Sequence, residues 1–282
     1  MNLSILYRGD LSGCNYDCPY CPFAKRKDSR EVLAEDARQV QRFVAFVTAQ
    51  PAIRFKLFFT PWGEGLIRKH YQQAMVALSR LPQVERVAIQ TNLSCRLEWL
   101  QQADKEKIAL WTTYHPGQVS RERFLDQCRQ LDAMGITYSV GVVGFKETIA
   151  EIEALRTLLP SQTYLWVNAL KKTADYYTTE EKDRLMAVDP FVPYNMVHHA
   201  SAGKACRTGH TVISVNGAGD MFRCHFVKEK LGNLYEGDFR TALFPRPCTN
   251  TTCGCHIGYV HLEELGLYDV FRGRELERIA PR

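Results

Sequence analysis

Nowhere in the 282 residues do about 18 apolar residues run together, which excludes a transmembrane helix of ordinary length. The opening MNLSILYRGD alternates like a strand and lacks the apolar core of a signal peptide, so a cytosolic protein is expected. No internal repeat and no low-complexity tract stands out. A large excess of one charge sign is missing too: the net charge of +5 is mild and spread along the chain, and nothing in it demands nucleic acid. The one dense basic cluster is Lys25, Arg26, Lys27 and Arg30, which reads as a solvated loop or as a contact for an anionic partner.

What is present is ordinary in bulk, 45 % apolar and 24 % charged, and unusual in cysteine. Ten cysteines are many for a reducing compartment, where structural disulfides rarely persist. They are grouped: three within residues 14–21 and five within 206–255, with Cys95 and Cys128 apart. Clustered thiols in such a protein point to metal rather than to bridges. Cys95 and Cys128 fall on predicted helices with apolar neighbours and read as buried, inert thiols.

Short β-rich runs alternate with amphipathic stretches. The predicted strands are Leu3–Arg8, Ile53–Phe59, Val84–Thr91, Ile108–Thr113, Ile136–Val143 and Thr163–Ala169. Helices are predicted near 31–49, 67–80, 96–105, 120–134 and 147–159, with Gly135 a natural stop. Six strands alternating with helices imply an α/β fold with a parallel sheet, doubly wound or curled towards a barrel. The alternation breaks after about residue 170, and Gly-rich, hairpin-like runs follow: Thr211–Val215, a turn at Asn216–Gly219, then Asp220–Phe226. A boundary near 190 therefore separates an α/β domain (1–190) from a small cysteine-rich β-hairpin domain (191–282).

Residues 13–23 read GCNYDCPYCPF, placing Cys14, Cys18 and Cys21 in a C-x3-C-x2-C spacing. Soft sulfur ligands select iron–sulfur or zinc. A closed zinc site needs a fourth ligand, yet this loop holds no other Cys or His, the next His being His70. Three ligands on a four-iron cluster would leave one iron open. This loop after a first strand resembles the radical S-adenosylmethionine (SAM) superfamily, whose members hold a [4Fe–4S] cluster this way and use it to cleave SAM to a 5′-deoxyadenosyl radical. The resemblance implies a partial (β/α)6 TIM-like barrel, with Tyr20 at the position that lies against the adenine.

The resemblance continues at the carboxyl ends of the strands, where parallel barrels place their chemistry. Pro61-Trp62-Gly63-Glu64-Gly65 is similar to the family's GGE element, with Trp62 in place of the first glycine, which implies that Gly63 and Glu64 bind the SAM amino group. Thr91 and Asn92 resemble the TN pair. Thr113 and His115, after the fourth strand, match positions expected to serve the SAM ribose and carboxylate. Gly141 and Val143 lie in GVVGFKE, similar to an element that packs on the adenine, and the sixth strand offers Asn168.

In the tail, Cys206, Gly219 and Cys224 form C-x12-G-x4-C around a hairpin, resembling the entry to SPASM and twitch extensions that carry auxiliary iron–sulfur clusters. Cys248, Cys253 and Cys255 follow. Five cysteines suffice for one four-ligand cluster: a second [4Fe–4S] on Cys206, Cys224, Cys253 and Cys255 is expected, with Cys248 as alternate. A zinc ribbon uses a similar set. His210, His256 and His261 are candidate supporting residues.

These readings imply an oxidoreductase or peptide-modifying radical enzyme acting on a small molecule or short peptide. Its electron donor would be a low-potential flavodoxin or ferredoxin. A ribosomal-peptide maturase with a separate leader-binding partner and a non-catalytic zinc or iron–sulfur scaffold remain alternatives. The start of the chain at its first strand favours the small substrate. Lys171–Tyr177 and a helix over Tyr259–Phe271 are expected to line or cap the substrate entrance. No residue is singled out as catalytic acid or base.

Overall fold

A computed structural model describes residues 1–23, 26–171 and 173–280. Lys25 of the basic cluster and residue 172 of the predicted entrance segment lie outside the described residues.

Six parallel strands form in sequence: β1 (Asn2–Arg8), β2 (Arg54–Phe59), β3 (Val84–Thr91), β4 (Ile108–Tyr114), β5 (Thr137–Gly144) and β6 (Leu165–Ala169). Each pairs with the next, so the strand order is simply 1-2-3-4-5-6. A doubly wound sheet would reverse direction partway; this one never does. Right-handed crossovers then place every helix on one face, and the sheet curls into an open barrel. The helices are α1 (Arg30–Thr48), α2 (Lys69–Ser79), α3 (Arg121–Met134), α4 (Ile149–Leu158) and α5 (Thr179–Val188).

Local chemistry explains most ends. Ser29 and Ser120 cap α1 and α3, accepting from Val32 N and Arg123 N. Thr178 and Glu181 form a reciprocal capping box on α5. Gly135 ends α3 at φ 70°, in the left-handed region. The predicted helix at 96–105 is only a short 3-10 turn, Glu98–Gln102, so Cys95 lies on a bend rather than a helix. Both Cys95 and Cys128 are buried, and burial pushes each thiol up to about 12, which keeps them protonated.

After α5 come α6 (Val192–Met196), β7 (His199–Ala200), β8 (Val212–Asn216), β9 (Asp220–Phe222), β10 (Lys230–Asn233), β11 (Thr252–Cys253), α7 (His256–Tyr259) and α8 (Leu267–Phe271). The predicted hairpin is there, but β8 pairs in parallel with β1. The hairpin thus extends the barrel sheet to nine strands, in the order β10-β9-β8-β1-β2-β3-β4-β5-β6.

Alternation along the strands splits the core in two. Ile5, Tyr7, Leu57, Phe59, Val87, Ile89, Leu110, Val140 and Val167 face the helices, meeting Val40, Phe43 and Leu78. Leu6, Phe58, Ala88, Trp111 and Trp166 face inwards, against Tyr259, Leu262, Leu267, Phe271 and Leu276. The expected entrance helix over 259–271 is therefore two short helices packed into the barrel interior. The last residues close its lower end: Lys56 reaches Gly273 O (3.0 Å) and Glu275 (3.3 Å), Arg86 meets Glu277 (3.2 Å), and Ser139 Oγ donates to Glu277 O (2.8 Å). The carboxyl ends of the strands form the other mouth.

Candidate active site

The cysteine loop follows β1 directly and is held from several sides. Asp36 of α1, fully buried, accepts from Leu11 N (3.1 Å), Tyr71 OH (3.2 Å) and pairs with His70 Nε2 (2.8 Å). Asp28 accepts from Ser12 N (3.2 Å), Ser12 Oγ (2.7 Å) and Gly13 N (2.6 Å). On the β2 side, Glu64 N donates to Gly13 O at 3.1 Å, and a Cβ on Gly63 would overlap the Gly13 carbonyl. A side chain there would push the loop away; glycine lets the two backbones touch.

Glu64 is 3 % exposed, and its carboxylate accepts from Leu66 N (2.9 Å), Thr91 Oγ1 (2.8 Å) and Asn92 N (2.6 Å). Burial still raises its pKa. A carboxylate offers about four lone-pair sites, so most of Glu64 is spent tying the β2 and β3 ends together. Leu93 sits at φ 57°, a left-handed position that a bulky residue rarely adopts, and its N–H bonds to Thr91 Oγ1 at 3.0 Å. Asn92 then reaches the loop: its Nδ2 lies 3.6 Å from Cys14 Sγ and 3.1 Å from Asn15 Oδ1.

None of the three loop thiols is in a disulfide; Cys18 is buried and Cys14 and Cys21 are half-buried. Burial raises Cys14, opposed by the Tyr16 N–H donated to its sulfur (3.4 Å); Glu64, Cys18 and Cys21 raise it further. Three thiols within electrostatic reach repel once ionised, and a bound metal removes that repulsion by deprotonating them outright. With N–H donors already aimed at one sulfur, this set fits an iron–sulfur cluster.

Beside the loop stands an aromatic group. Tyr20 OH and His115 Nδ1 are hydrogen-bonded at 2.9 Å, their rings stack at 6.0 Å, and Phe145 tilts against Tyr20 at 5.1 Å. Tyr20 and His115 thus stand side by side. Thr113 and Val143 are half-buried and Asn168 is exposed, all on the inward parity of their strands. Gly141 is inward too, but Trp166 covers it: a Cβ there would overlap the indole. Its lack of a side chain serves that packing.

Burial lowers His115 to about 4 and lowers His261, which also faces Arg207, to about 3. An unfolded histidine titrates near about 6.5. Below that pH the unfolded chain binds more protons, so the contribution of these neutral rings is lost as pH falls. The stability gap between wild type and His261→Gln should therefore narrow from pH 7 to pH 5, by up to about 1.4 kcal/mol per pH unit below 6.5. Urea unfolding at several pH values measures it. A constant gap would contradict a buried neutral ring.

Across the mouth lie the other cysteines. Cys224 lies within electrostatic reach of Cys206 and Cys248, and Cys253 within reach of Cys224, Cys255, Cys206 and Cys248. Cys255 also lies within electrostatic reach of Lys171, Arg278 and Arg8, and Lys171 acts on Cys253 as well. Tetrahedral zinc with bonds of about 2.3 Å needs thiolates about 3.8 Å apart. Among the described residues no three His, Cys, Asp or Glu side chains stand close enough to hold a metal ion; a four-iron cluster accommodates wider spacing. Of the candidate supporting histidines, His256 Nε2 bonds Glu275 O (3.1 Å) and His261 Nδ1 bonds Tyr268 OH (2.9 Å).

Several site-forming residues carried no motif. Asp36 had a signal: it is an acid in the apolar stripe Leu33, Val40, Phe43, Val47 of α1. Asp28, Arg8 and Thr60 had none. Arg8 ends β1 pointing inwards, with Nε on Thr60 O (2.7 Å) and its guanidinium 3.9 Å over Trp62, and Thr60 Oγ1 meets His225 Nε2 at 2.8 Å.

No helix of the described residues is long and apolar enough to cross a membrane. No family model and no curated protein matches the chain. Among solved structures, native anSMEcpe with bound AdoMet and Kp18Cys peptide aligns at TM-score 0.53 and 14 % identity, covering 86 % of this chain and 82 % of that one. Native anSMEcpe with bound AdoMet alone aligns at TM-score 0.52 and 13 % identity, covering 85 % of this chain and 82 % of that one. The chain therefore has the α/β partial-barrel fold of the radical SAM enzyme anSMEcpe.

Proposed function

We propose that the protein is a radical SAM enzyme that modifies or oxidises a small molecule or short peptide. The observation that carries this reading is the placement of Cys14, Cys18 and Cys21 at the open mouth of the barrel, braced by Gly63, Glu64 and Asn92 from neighbouring strand ends. Those three thiols would hold a [4Fe–4S] cluster. When bound, the cluster and SAM supply one electron and the resulting 5′-deoxyadenosyl radical.

The chain's own residues do the rest. Asp28 and Asp36 hold the loop, Asn92 and the Tyr16 N–H steady the Cys14 sulfur, and Tyr20, His115 and Phe145 offer a flat apolar wall suited to an adenine. The lower end of the barrel is filled by Trp111, Trp166 and the tail, which excludes water from that side. Residues 191–282 would form an auxiliary cluster domain, with Cys206, Cys224, Cys253 and Cys255 as its ligands and Cys248 as the alternate; the other four thiols all lie within electrostatic reach of Cys253. A flavodoxin or ferredoxin would supply the electron. A short peptide is favoured as substrate to the extent that anSMEcpe, sharing the fold, has been solved with peptide bound.

Anaerobic reconstitution tests the reading. The protein should bind about eight irons, two four-iron clusters, and release 5′-deoxyadenosine from SAM on reduction with dithionite. A colourless protein that makes none is the zinc or scaffold alternative instead.

A further inference from the structure

The basic side chains that follow the cysteine loop take no part in holding it. Arg26, Lys27 and Arg30 are all exposed, and none has a carboxylate within ion-pair distance among the described residues. Asp28, between them, turns inward onto Ser12 and Gly13. Glu31, the next acid along the chain, bonds Ser29 and its own N–H at the start of α1. Three cations are thus left to solvent where the loop meets α1.

Beside them two large rings are exposed. Phe23 is 53 % and Trp62 38 % exposed, with ring centroids 4.4 Å apart. The Arg8 guanidinium lies 3.9 Å over the indole, so Trp62 is braced by a ring and by a cation. Trp62 stands where the GGE element it resembles has a glycine, which makes this aromatic pair a feature of this chain. The pieces meet at Gly13, the residue before Cys14. Asp28 Oδ2 accepts from its N–H at 2.6 Å, and a Cβ on it would lie 3.5 Å from Arg26 O. A Cβ on Gly63, next to Trp62, would overlap its carbonyl. Rings, cations and cysteine loop are therefore one packed unit.

We infer that Phe23, Trp62, Arg26, Lys27 and Arg30 form the docking surface for a protein electron donor whose redox centre is ringed by carboxylates. Exposed aromatic anchors supply contact at such an interface, and the charges around them guide the encounter. Three cations without an anion of their own complement an acidic face. A small anionic substrate fits less well. Arg30 opens α1, which packs on the outer face of the sheet, whereas a substrate belongs in the interior mouth. The inference rests on the radical SAM reading for the destination of the electron: the donor loses one electron, and that electron splits SAM into methionine and the 5′-deoxyadenosyl radical. The surface itself is built from the chain's own side chains.

The probe is a reduced flavodoxin of net negative charge, mixed with the anaerobic, iron-loaded protein. Deoxyadenosine formation driven by flavodoxin should slow as salt rises. Arg26→Glu, Lys27→Glu and Arg30→Glu together should slow it roughly tenfold or more at low salt. With excess dithionite the same variant should match wild type, because a small reductant needs no docking surface. Arg26→Lys with Arg30→Lys should keep the flavodoxin rate, and Phe23→Ala should weaken flavodoxin binding in calorimetry. A water-soluble carbodiimide joins a lysine amine to a carboxylate as an amide and takes up the water lost as its urea; it should link Lys27 to the flavodoxin, as mass spectrometry of the product reads. Cross-links only outside residues 23–30, or an unchanged flavodoxin rate in the triple variant, overturn the inference. Equal loss with dithionite overturns it too, giving the cations to the loop or to an anionic substrate. If neither reductant yields deoxyadenosine the radical reading falls, while cross-linking and calorimetry still decide the surface.

Discussion

Alanine at Cys14, Cys18 and Cys21 together should remove about four irons per chain and abolish release of 5′-deoxyadenosine, while the protein stays folded. The two halves of this expectation have separate grounds. The loop's shape does not come from its sulfurs: Asp28 takes three donors from Ser12 and Gly13, Asp36 takes Leu11 N, and Gly13 O takes Glu64 N. Cys14 and Cys21 are only half-buried, so their truncation opens no large cavity. The far-ultraviolet circular dichroism and the melting temperature of the apo-protein should therefore stay close to those of wild-type apo-protein. Iron and sulfide analysis with chromatographic detection of deoxyadenosine gives the other half. A variant that still cleaved SAM under dithionite would end the proposal that this loop holds the reactive cluster.

Ending the chain after Phe271 should leave a protein without a cooperative unfolding transition. The removed segment carries Leu276 and Ile279, 2 % and 6 % exposed, each worth about 1.5–3 kcal/mol of burial. It also carries Arg278, the cation nearest the fully buried Asp189, and Glu275 and Glu277, which face Lys56 and Arg86. Breaking one buried pair costs about 3–5 kcal/mol when its partner is left behind. Together these losses rival the whole stability of a typical domain, about 5–15 kcal/mol. Trp111, Trp166 and Phe58 would then face solvent, so strong binding of a hydrophobic dye should accompany the loss. Arg278→Met, which keeps the volume and loses the charge, should fold and be destabilised by about 3 kcal/mol in urea. A truncated chain as stable as the full one would show that the tail does not support the barrel interior.

The six strands were legible almost to the residue because each is a short, β-branched or aromatic run buried on both faces and bounded by polar turns. The helix expected at 96–105 was misread: Leu97, Trp99 and Leu100 satisfy a helical spacing, yet only a 3-10 turn forms before β4. Spacing singled out the loop cysteines and the resemblance singled out Glu64, Thr91 and Asn92, which the structure sets at adjoining strand ends; that Glu64 grips Thr91 and Asn92 was not legible. Gly141 was read for a cofactor and is filled by Trp166 from the next strand.

By itself the sequence determined the alternating α/β pattern, the three-thiol loop and the grouping of the tail cysteines, because each depends on residues near one another in the chain. Only the tertiary structure decided that the hairpin pairs with β1, that the last residues plug the barrel, and that Cys255 comes within electrostatic reach of Arg8, Lys171 and Arg278 as well as of Cys253. Those outcomes join positions up to 270 residues apart, as Arg8 and Arg278 are. Periodicity and spacing report what neighbours along the chain will do. Burial of charge and the closing of a barrel are settled by whichever side chains the fold brings face to face.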